Sequence, residues 1–191
     1  MLNRREAVSR LLADRDDMLV VAGLGQPCFD CFAAGDDPRN FYLWGAMGGA
    51  VPAGLGIALA QPERRVLVVT GDGDALMSAG AFATVGAEAP ENLAICILDN
   101  ERYGETGGQV THTARGTDLA AMAAAGGVRQ AWMVRTEAEL AEAIGALRQA
   151  AGPLVAVLKV APESQPGALP PQDGPHLKRR FRTAALGVED K

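Results

Sequence analysis

Apolar positions along the chain fall into two patterns, recurrence at helical spacing and short unbroken runs, and the switches between them mark its elements. Near the N-terminus Ala7, Val8, Leu11 and Leu12 recur at helical spacing in REAVSRLLADRDD, which predicts a first helix. MLVVAG follows as a short buried strand ending at Gly23, and NFYLWG as a second short strand. GAVPAGLGIALAQ predicts a closely packed helix, its small residues allowing near approach. RVLVVTG is apolar throughout, as expected of a strand covered on both faces. ALMSAGAFATVGAEA predicts the next helix and NLAICILDN the next strand. TDLAAMAAAGG predicts a helix with Thr117 as N-cap and Gly126 as its stop. After the short strand AWMV, TEAELAEAIGALRQA carries Thr136 and Glu139 at the spacing of a capping box. PLVAVLKV is the last strand.

Strands thus alternate with helices from end to end. That order predicts an open parallel α/β sheet with right-handed crossovers and helices on both faces. Residues 1–160 read as one domain without internal repeats. Residues 161–191 change character. APESQPGALPPQDGP is proline-rich and reads as a linker or extended arm. HLKRRFRTAAL is basic, with Leu177, Phe181 and Leu186 as its apolar positions. It reads as a solvated, partly docked helix, with contact to a partner or an anionic ligand as the alternative.

Composition narrows the classes. The chain has 191 residues, 48% hydrophobic and 21% charged, as in a soluble globular protein. A net charge of −5 gives no electrostatic footprint for nucleic acid. The longest apolar runs hold about eight residues, too short for a membrane helix. No apolar signal segment follows MLNRREAVSR, so a cytoplasmic location is expected. Cys28 and Cys31 form a C-x-x-C in PCFDC, but only Cys96, His112 and His176 remain to complete a metal site. Both read first as buried apolar residues, with a redox or metal role as the alternative.

The candidate chemistry lies where strands end. GLGQP, WGAMGG, GDGDA and DNERYGETGGQ each follow a strand. In a parallel sheet, ligands collect at those carboxyl ends. Glycine lets backbone approach a ligand, and N–H groups at a helix start attract phosphate. Asp72 argues against a simple dinucleotide site, because a carboxylate repels a pyrophosphate unless a cation stands between them. Magnesium is such a cation, held by one or two carboxylates plus phosphate oxygens. Asn100, 28 residues after Asp72 and at the next strand end, offers a neutral oxygen. No Gly-Lys-Ser/Thr follows the glycines, so a Walker loop is excluded. Taken residue by residue, the alternatives are that Asp72 caps the helix at Ala75, Asn100 is an ordinary turn residue and Met47 packs in the core.

Gly71-Asp72-Gly73 followed by LDNERYG resembles the signature of the thiamine diphosphate-dependent 2-oxo-acid decarboxylases, in their diphosphate-binding domain. LWGAMGGAVPAGLGIALA is similar to the segment that cradles the aminopyrimidine in that family, and the likeness covers residues 18 to about 160. YGETGGQ and NFYLWGAMGG are most similar to the sulfopyruvate and phosphonopyruvate decarboxylases, and more narrowly to a separate β subunit of the first. The resemblance implies thiamine diphosphate and Mg²⁺ as cofactors. It implies Asp72 and Asn100 as metal ligands through their side chains, and Arg102 through its carbonyl. It places Gly71, Gly73, Asp74, Ala75, Tyr103 and Glu105 at the diphosphate, with backbone N–H groups of Gly73, Asp74 and Glu105 as donors. Gly25 and Gln26 touch the same group. The Gly45 carbonyl accepts from the 4′-amino group, beside Ala46, and Met47 is the apolar wedge under the bent cofactor. Thr106, Gly107, Gly108 and Gln109 border the substrate; His112 reads as a loop residue more than as a substrate contact. Two positions depart from the pattern: Asp99 replaces the usual first asparagine, and Asp74 stands where serine is common.

The family also activates its cofactor with a glutamate facing the pyrimidine, carried on another domain. Glu88 and Glu91 fall at the opposite edge of the sheet, so no catalytic residue is expected in this chain. The expected partner is a separate pyrimidine-binding α subunit supplying that glutamate, with a small 2-oxo acid as substrate. Alone, the chain is expected to self-associate as a homo-oligomer. For an anionic substrate head group, Arg102 and Arg115 are the available cations. A cofactor-binding or regulatory subunit without turnover is the alternative, and a nucleotide-binding α/β protein a third.

Overall fold

The structure, a computed structural model, describes residues 1–163 and 167–187. Six parallel strands form one sheet: β1 (Leu19–Ala22), β2 (Asn40–Tyr42), β3 (Val66–Gly71), β4 (Leu93–Asp99), β7 (Gln130–Val134) and β8 (Leu154–Lys159). A separate two-stranded antiparallel ribbon is made by β5 (Arg102–Tyr103) and β6 (Gln109–Val110). The helices are α1 (Arg4–Leu12), α2 (Gln26–Ala33), α3 (Ala50–Ala60), α4 (Asp72–Met77), α5 (Ala81–Glu88), α6 (Leu119–Ala125), α7 (Glu137–Gln149) and α8 (Gly174–Leu186). The sheet order is β2-β1-β3-β4-β8-β7. The open α/β sheet read from the sequence is therefore the fold.

Alternate side chains of each strand feed two cores. Val20, Ala22, Leu67, Val69, Cys96 and Leu98 point to the face covered by α1, α2 and α7. Leu19, Val21, Val66, Val68, Ile95 and Ile97 point to the face covered by α3, α5 and α6. Both faces are dry, which is why the strands read as unbroken apolar runs. The chain leaves β1 towards β2 on one side and returns to β3 on the other. That reversal opens a crevice at the carboxyl ends of β1 and β3, the place where such sheets bind ligands.

Three details differ from the sequence reading. The segment after β3 is two helices, broken at Ser78–Gly80, and the first begins at Asp72. Asp118, not Thr117, caps α6, its side chain accepting from the N–H groups of Ala120 and Ala121. An additional helix, α2, follows β1 directly, with Pro27 in its first turn, a position that needs no N–H. Cys28 and Cys31 lie inside α2, buried and unbridged. The capping box at Thr136 and Glu139 forms as read. Beyond β8, the chain reaches the far edge of the sheet, where α8 packs on β2. Leu177 enters one core and Phe181 the other, the Phe181 ring 5.3 Å from that of Phe41. Leu186 is exposed.

Candidate functional site

At the reversal between β1 and β3 the structure opens a cleft of about 130 Å³. Of the residues singled out from the sequence, Gln26, Met47, Gly71, Asp72, Gly73, Asp74, Asn100, Arg102, Tyr103, Glu105 and Thr106 line it. Gly25 stands at its wall, where a Cβ would overlap the Glu105 carboxylate. Gly45 and Ala46 precede Met47 in the same loop, and the Ala46 carbonyl accepts from the Gly49 N–H at 2.7 Å. Ala75 is turned into the core and does not reach the cleft. Gln109 is outside it as well, but Thr106 Oγ1 donates to Gln109 Oε1 at 2.9 Å and so ties it to the rim. Arg115 is not part of the wall. His112 touches Tyr103, Oη to Nδ1 at 3.0 Å.

Asp72 is the centre of this arrangement. It does not cap α4: the N-cap is Gly71, which has no side chain to offer. Its Oδ2 instead accepts from Thr111 Oγ1 at 2.6 Å and from Thr113 Oγ1 at 3.2 Å. Thr113 also donates to Asp99 Oδ1 at 2.8 Å, and Lys159 donates to Asp99 Oδ2 at 2.9 Å. Burial pushes the Asp72 carboxyl up to about 6, against the pull of Thr111, and Asp99 adds to the rise. The Asp72 N–H also lies against its own carboxylate and lowers it, and among the described residues no cation pairs with Asp72.

The turn after β4 is held in one shape. The Glu101 N–H donates to Asp99 Oδ1 at 3.1 Å, and the Arg102 N–H donates to Asn100 Oδ1 at 3.0 Å. Glu101 adopts φ 62, a conformation unfavourable for a side chain of its length, and its carboxylate is anchored by Lys159. The amide oxygen of Asn100 keeps a second lone pair. Asp74, the departure from serine, accepts from Thr70 Oγ1 and from the Gly48 N–H. The Met47 loop is thereby stapled to α4. Met47 itself is half exposed at the cleft and does not pack in the core.

These residues suit a diphosphate bridged by a divalent cation. Among the described residues no group of three or more His, Cys, Asp or Glu side chains can hold a metal unaided. One buried carboxylate oxygen, one amide oxygen and nearby carbonyls form an incomplete set, which phosphate oxygens and water complete for magnesium. Gly73 leaves the space over its backbone to the Tyr103 ring, which a Cβ would meet at 2.7 Å. The sequence reading missed Arg4, which lines the cleft, and the two threonines that orient Asp72. Neither carries a local signal.

The family described as thiamine pyrophosphate enzyme, C-terminal TPP binding domain, matches residues 25–158. The β subunit of sulfopyruvate decarboxylase from Methanothermobacter thermautotrophicus is 46% identical over 123 residues, covering 64% of this chain and 65% of that one. A phosphonopyruvate decarboxylase from Streptomyces viridochromogenes is 40% identical over 181 residues, covering 94% of this chain but 45% of its own length. The chain thus spans only part of the relatives it matches. An X-ray structure from Mycobacterium smegmatis, described only provisionally as a thiamin diphosphate-dependent enzyme, superposes with a TM-score of 0.71 at 26% identity, over 85% of this chain and 32% of that one. Sequence match, fold and site agree: the chain belongs to the thiamine pyrophosphate enzymes, as a C-terminal TPP binding domain.

Proposed function

We propose that this chain is the diphosphate- and magnesium-binding β subunit of a thiamine diphosphate-dependent carboxy-lyase acting on a 2-oxo acid with an anionic head group, sulfopyruvate or 3-phosphonopyruvate. The observation that carries the reading is Asp72, a buried carboxylate with one oxygen committed to threonines, lining the same cleft as Asn100 from the adjacent strand end. In this reading Asp72, Asn100 and the Arg102 carbonyl hold Mg²⁺. The N–H groups of Gly73, Asp74 and Glu105, with Gly25 and Gln26, hold the diphosphate, and Gly71 and Tyr103 shape its bed. Gly45, Ala46 and Met47 hold the aminopyrimidine bent. Thr106 and Gln109 face the substrate, and Arg102, the exposed cation on the cleft wall, meets its head group.

When bound, thiamine diphosphate supplies the electron sink for decarboxylation. The chain's own residues orient and exclude water. Among the described residues Glu88 and Glu91 lie at the amino-terminal edge of the sheet, away from the cleft, and Glu105, which lines it, sits at the diphosphate end in this reading. The catalytic glutamate and the second wall of the site therefore come from a pyrimidine-binding α subunit. The 45% span of the phosphonopyruvate decarboxylase supports this division, since that single chain has room for the other half. Residues 1–160 are the cofactor unit, and α8 packs back on its sheet edge. Exposed Met47 and Met77 at the cleft mouth belong to a face that self-associates in the lone subunit. The free, unbridged cysteines support a reducing, cytoplasmic setting.

The test is carbon dioxide release from both substrates, by the chain alone and mixed with a pyrimidine-binding subunit. The mixture should turn over and bind cofactor more tightly, while the lone chain should do neither. Substantial turnover by the lone chain overturns the half-site. Tight cofactor binding by the complex without turnover on any 2-oxo acid leaves a non-catalytic cofactor subunit instead.

A further inference from the structure

Arg4 lies on α1 at 3% exposure and still forms part of the cleft wall. Its Nε donates to Asp30 Oδ2, and its Nη2 donates to Gln26 Oε1 at 2.6 Å. Nη1 makes no hydrogen bond among the described residues. Asp30 is fully buried and is shared, since it also accepts from Arg5 Nε at 3.1 Å. The pair fixes the guanidinium without consuming it. An arginine held this way presents a planar donor to an anion at little further entropic cost.

Beside Arg4, α2 begins. Its N-cap is Gly25, with φ 72, and no side chain caps its first N–H groups. That leaves the positive end of an eight-residue helix open towards the cleft. A carboxylate already lies there. The Glu105 side chain rests against Gly25 so closely that a Cβ on Gly25 would overlap its Oε1. After burial itself, the Asp74 and Glu105 carboxylates help raise the thiol of Cys28 in the first turn of α2, which places Glu105's charge at that same end.

We propose that Arg4 and the start of α2 form an anion seat that takes the terminal phosphate of the diphosphate ester, and that the Glu105 carboxylate occupies the seat until the ester displaces it. The inference rests on the cofactor reading above and assigns the phosphate a protein cation in addition to its metal. Two consequences separate the seat from a purely structural ion pair. Arg4 should matter for a diphosphate and little for a monophosphate. Glu105 should act as a competitor, so neutralising it should tighten anion binding, the opposite of what loss of a contact does.

The experiment is calorimetric titration of the full chain in Mg²⁺ with thiamine diphosphate, thiamine monophosphate and inorganic pyrophosphate. Arg4→Gln should lower thiamine diphosphate affinity about tenfold or more, the effect of one charged hydrogen bond, and monophosphate affinity by less than about threefold. Arg4→Lys should recover part of the loss. Glu105→Gln should raise pyrophosphate affinity about threefold or more, by removing a competing charge. Should Arg4→Gln fail to fold, Arg4→Met with Asp30→Asn removes the buried charges together and carries the same expectation. Equal losses for diphosphate and monophosphate would overturn the seat. Unchanged or weaker pyrophosphate binding by Glu105→Gln would overturn its role as occupant. A wild-type chain that does not distinguish diphosphate from monophosphate would overturn the cofactor reading, and this inference with it.

Discussion

The two rims of the sheet are finished differently. At the amino-terminal rim, helix ends are closed by side chains from the protein itself. Arg65 donates to the carbonyls of Ala146, Leu147 and Ala150 at the end of α7. Asn92 Nδ2 donates to Ala58, Gln61 and Arg64 at the end of α3. Arg148 does the same for α1, through the carbonyls of Arg10 and Leu11. At the carboxyl rim, the helices around the cleft start open: α2, α3 and α4 begin after Gly25, Gly49 and Gly71, with no side-chain cap. Of the other helices, α1 is capped by Asn3, α6 by Asp118, α7 by Thr136 and α8 by Asp173, while α5, which follows α4 after Gly80, has no side-chain cap. Unpaired N–H groups at a helix start lower stability unless something else pairs them. In the proposed reading the missing partner is a ligand, so the rim that stabilises the fold and the rim that binds are different places.

That contrast can be broken by mutation from either side. The largest effect is expected at the binding rim: Asp72→Ala should weaken magnesium-dependent thiamine diphosphate binding about 100-fold or more, read by calorimetry, because charged contacts and the bridging cation are lost together. Retained tight binding would remove Asp72 from the metal site. At the other rim, Asn92→Ala should do the reverse. It strips the Ala58 and Arg64 carbonyls of their Asn92 donor, the Gln61 carbonyl keeping the Arg64 N–H, and should cost about 1–3 kcal/mol in denaturant unfolding, while cofactor affinity stays within about twofold. A matching loss of affinity would show that the rims are coupled. Met47→Ala should leave cofactor affinity nearly intact and slow turnover of the assembled enzyme about tenfold or more, since the bent cofactor geometry is less well held. Loss of affinity without loss of rate would assign Met47 to packing. The smallest change is the most direct probe of the contrast. Gly71 has φ −93 and ψ 163, an ordinary N-cap conformation, and a Cβ there meets only Pro27 Cγ at 4.0 Å. Gly71→Ser should therefore stabilise the unliganded chain by a few tenths of a kcal/mol, about 1 °C in melting temperature, and weaken thiamine diphosphate severalfold by taking its N–H groups. A variant that gains stability without losing affinity would mean that the open start of α4 is not reserved for a ligand.

Much of this was legible in the sequence because it is encoded locally. β3 and β4 are unbroken apolar runs, and Thr136 with Glu139 forms its capping box within a single turn. Asp72 and Asn100 could be found because each ends a strand, and the fold places strand ends side by side. α2 was hidden by Gly25-Gln26-Pro27, which reads as a turn because glycine and proline open a helix and a loop alike. The break between α4 and α5 was hidden by alanine, equally at home in the helix and in the turn at Ser78–Gly80. Arg4 reaches partners 22 and 26 residues away, and Thr111 reaches Asp72 across 39. In the sequence Arg4 is one more charge on an amphipathic helix and Thr111 one more loop hydroxyl. Only the closed fold makes them part of a site.

The position of α8 bears on how the chain avoids sticking to itself. β2 is a three-residue strand at the sheet margin, and the outward N–H and carbonyl of its Asn40 are taken by the Asp37 carbonyl and by Arg180. An uncovered margin is a template for adding a foreign strand, the first step towards fibrillar aggregates. α8 lies along that margin and is pinned at Leu177 in one core and Phe181 in the other, with Arg180 clasping Asp36 through Nη1 at 2.7 Å. The last ordered helix thus works as a selvedge, keeping the woven edge from joining the next sheet. A chain lost from Pro162 onward by proteolysis would keep all six strands of its sheet and still become a hazard to its neighbours.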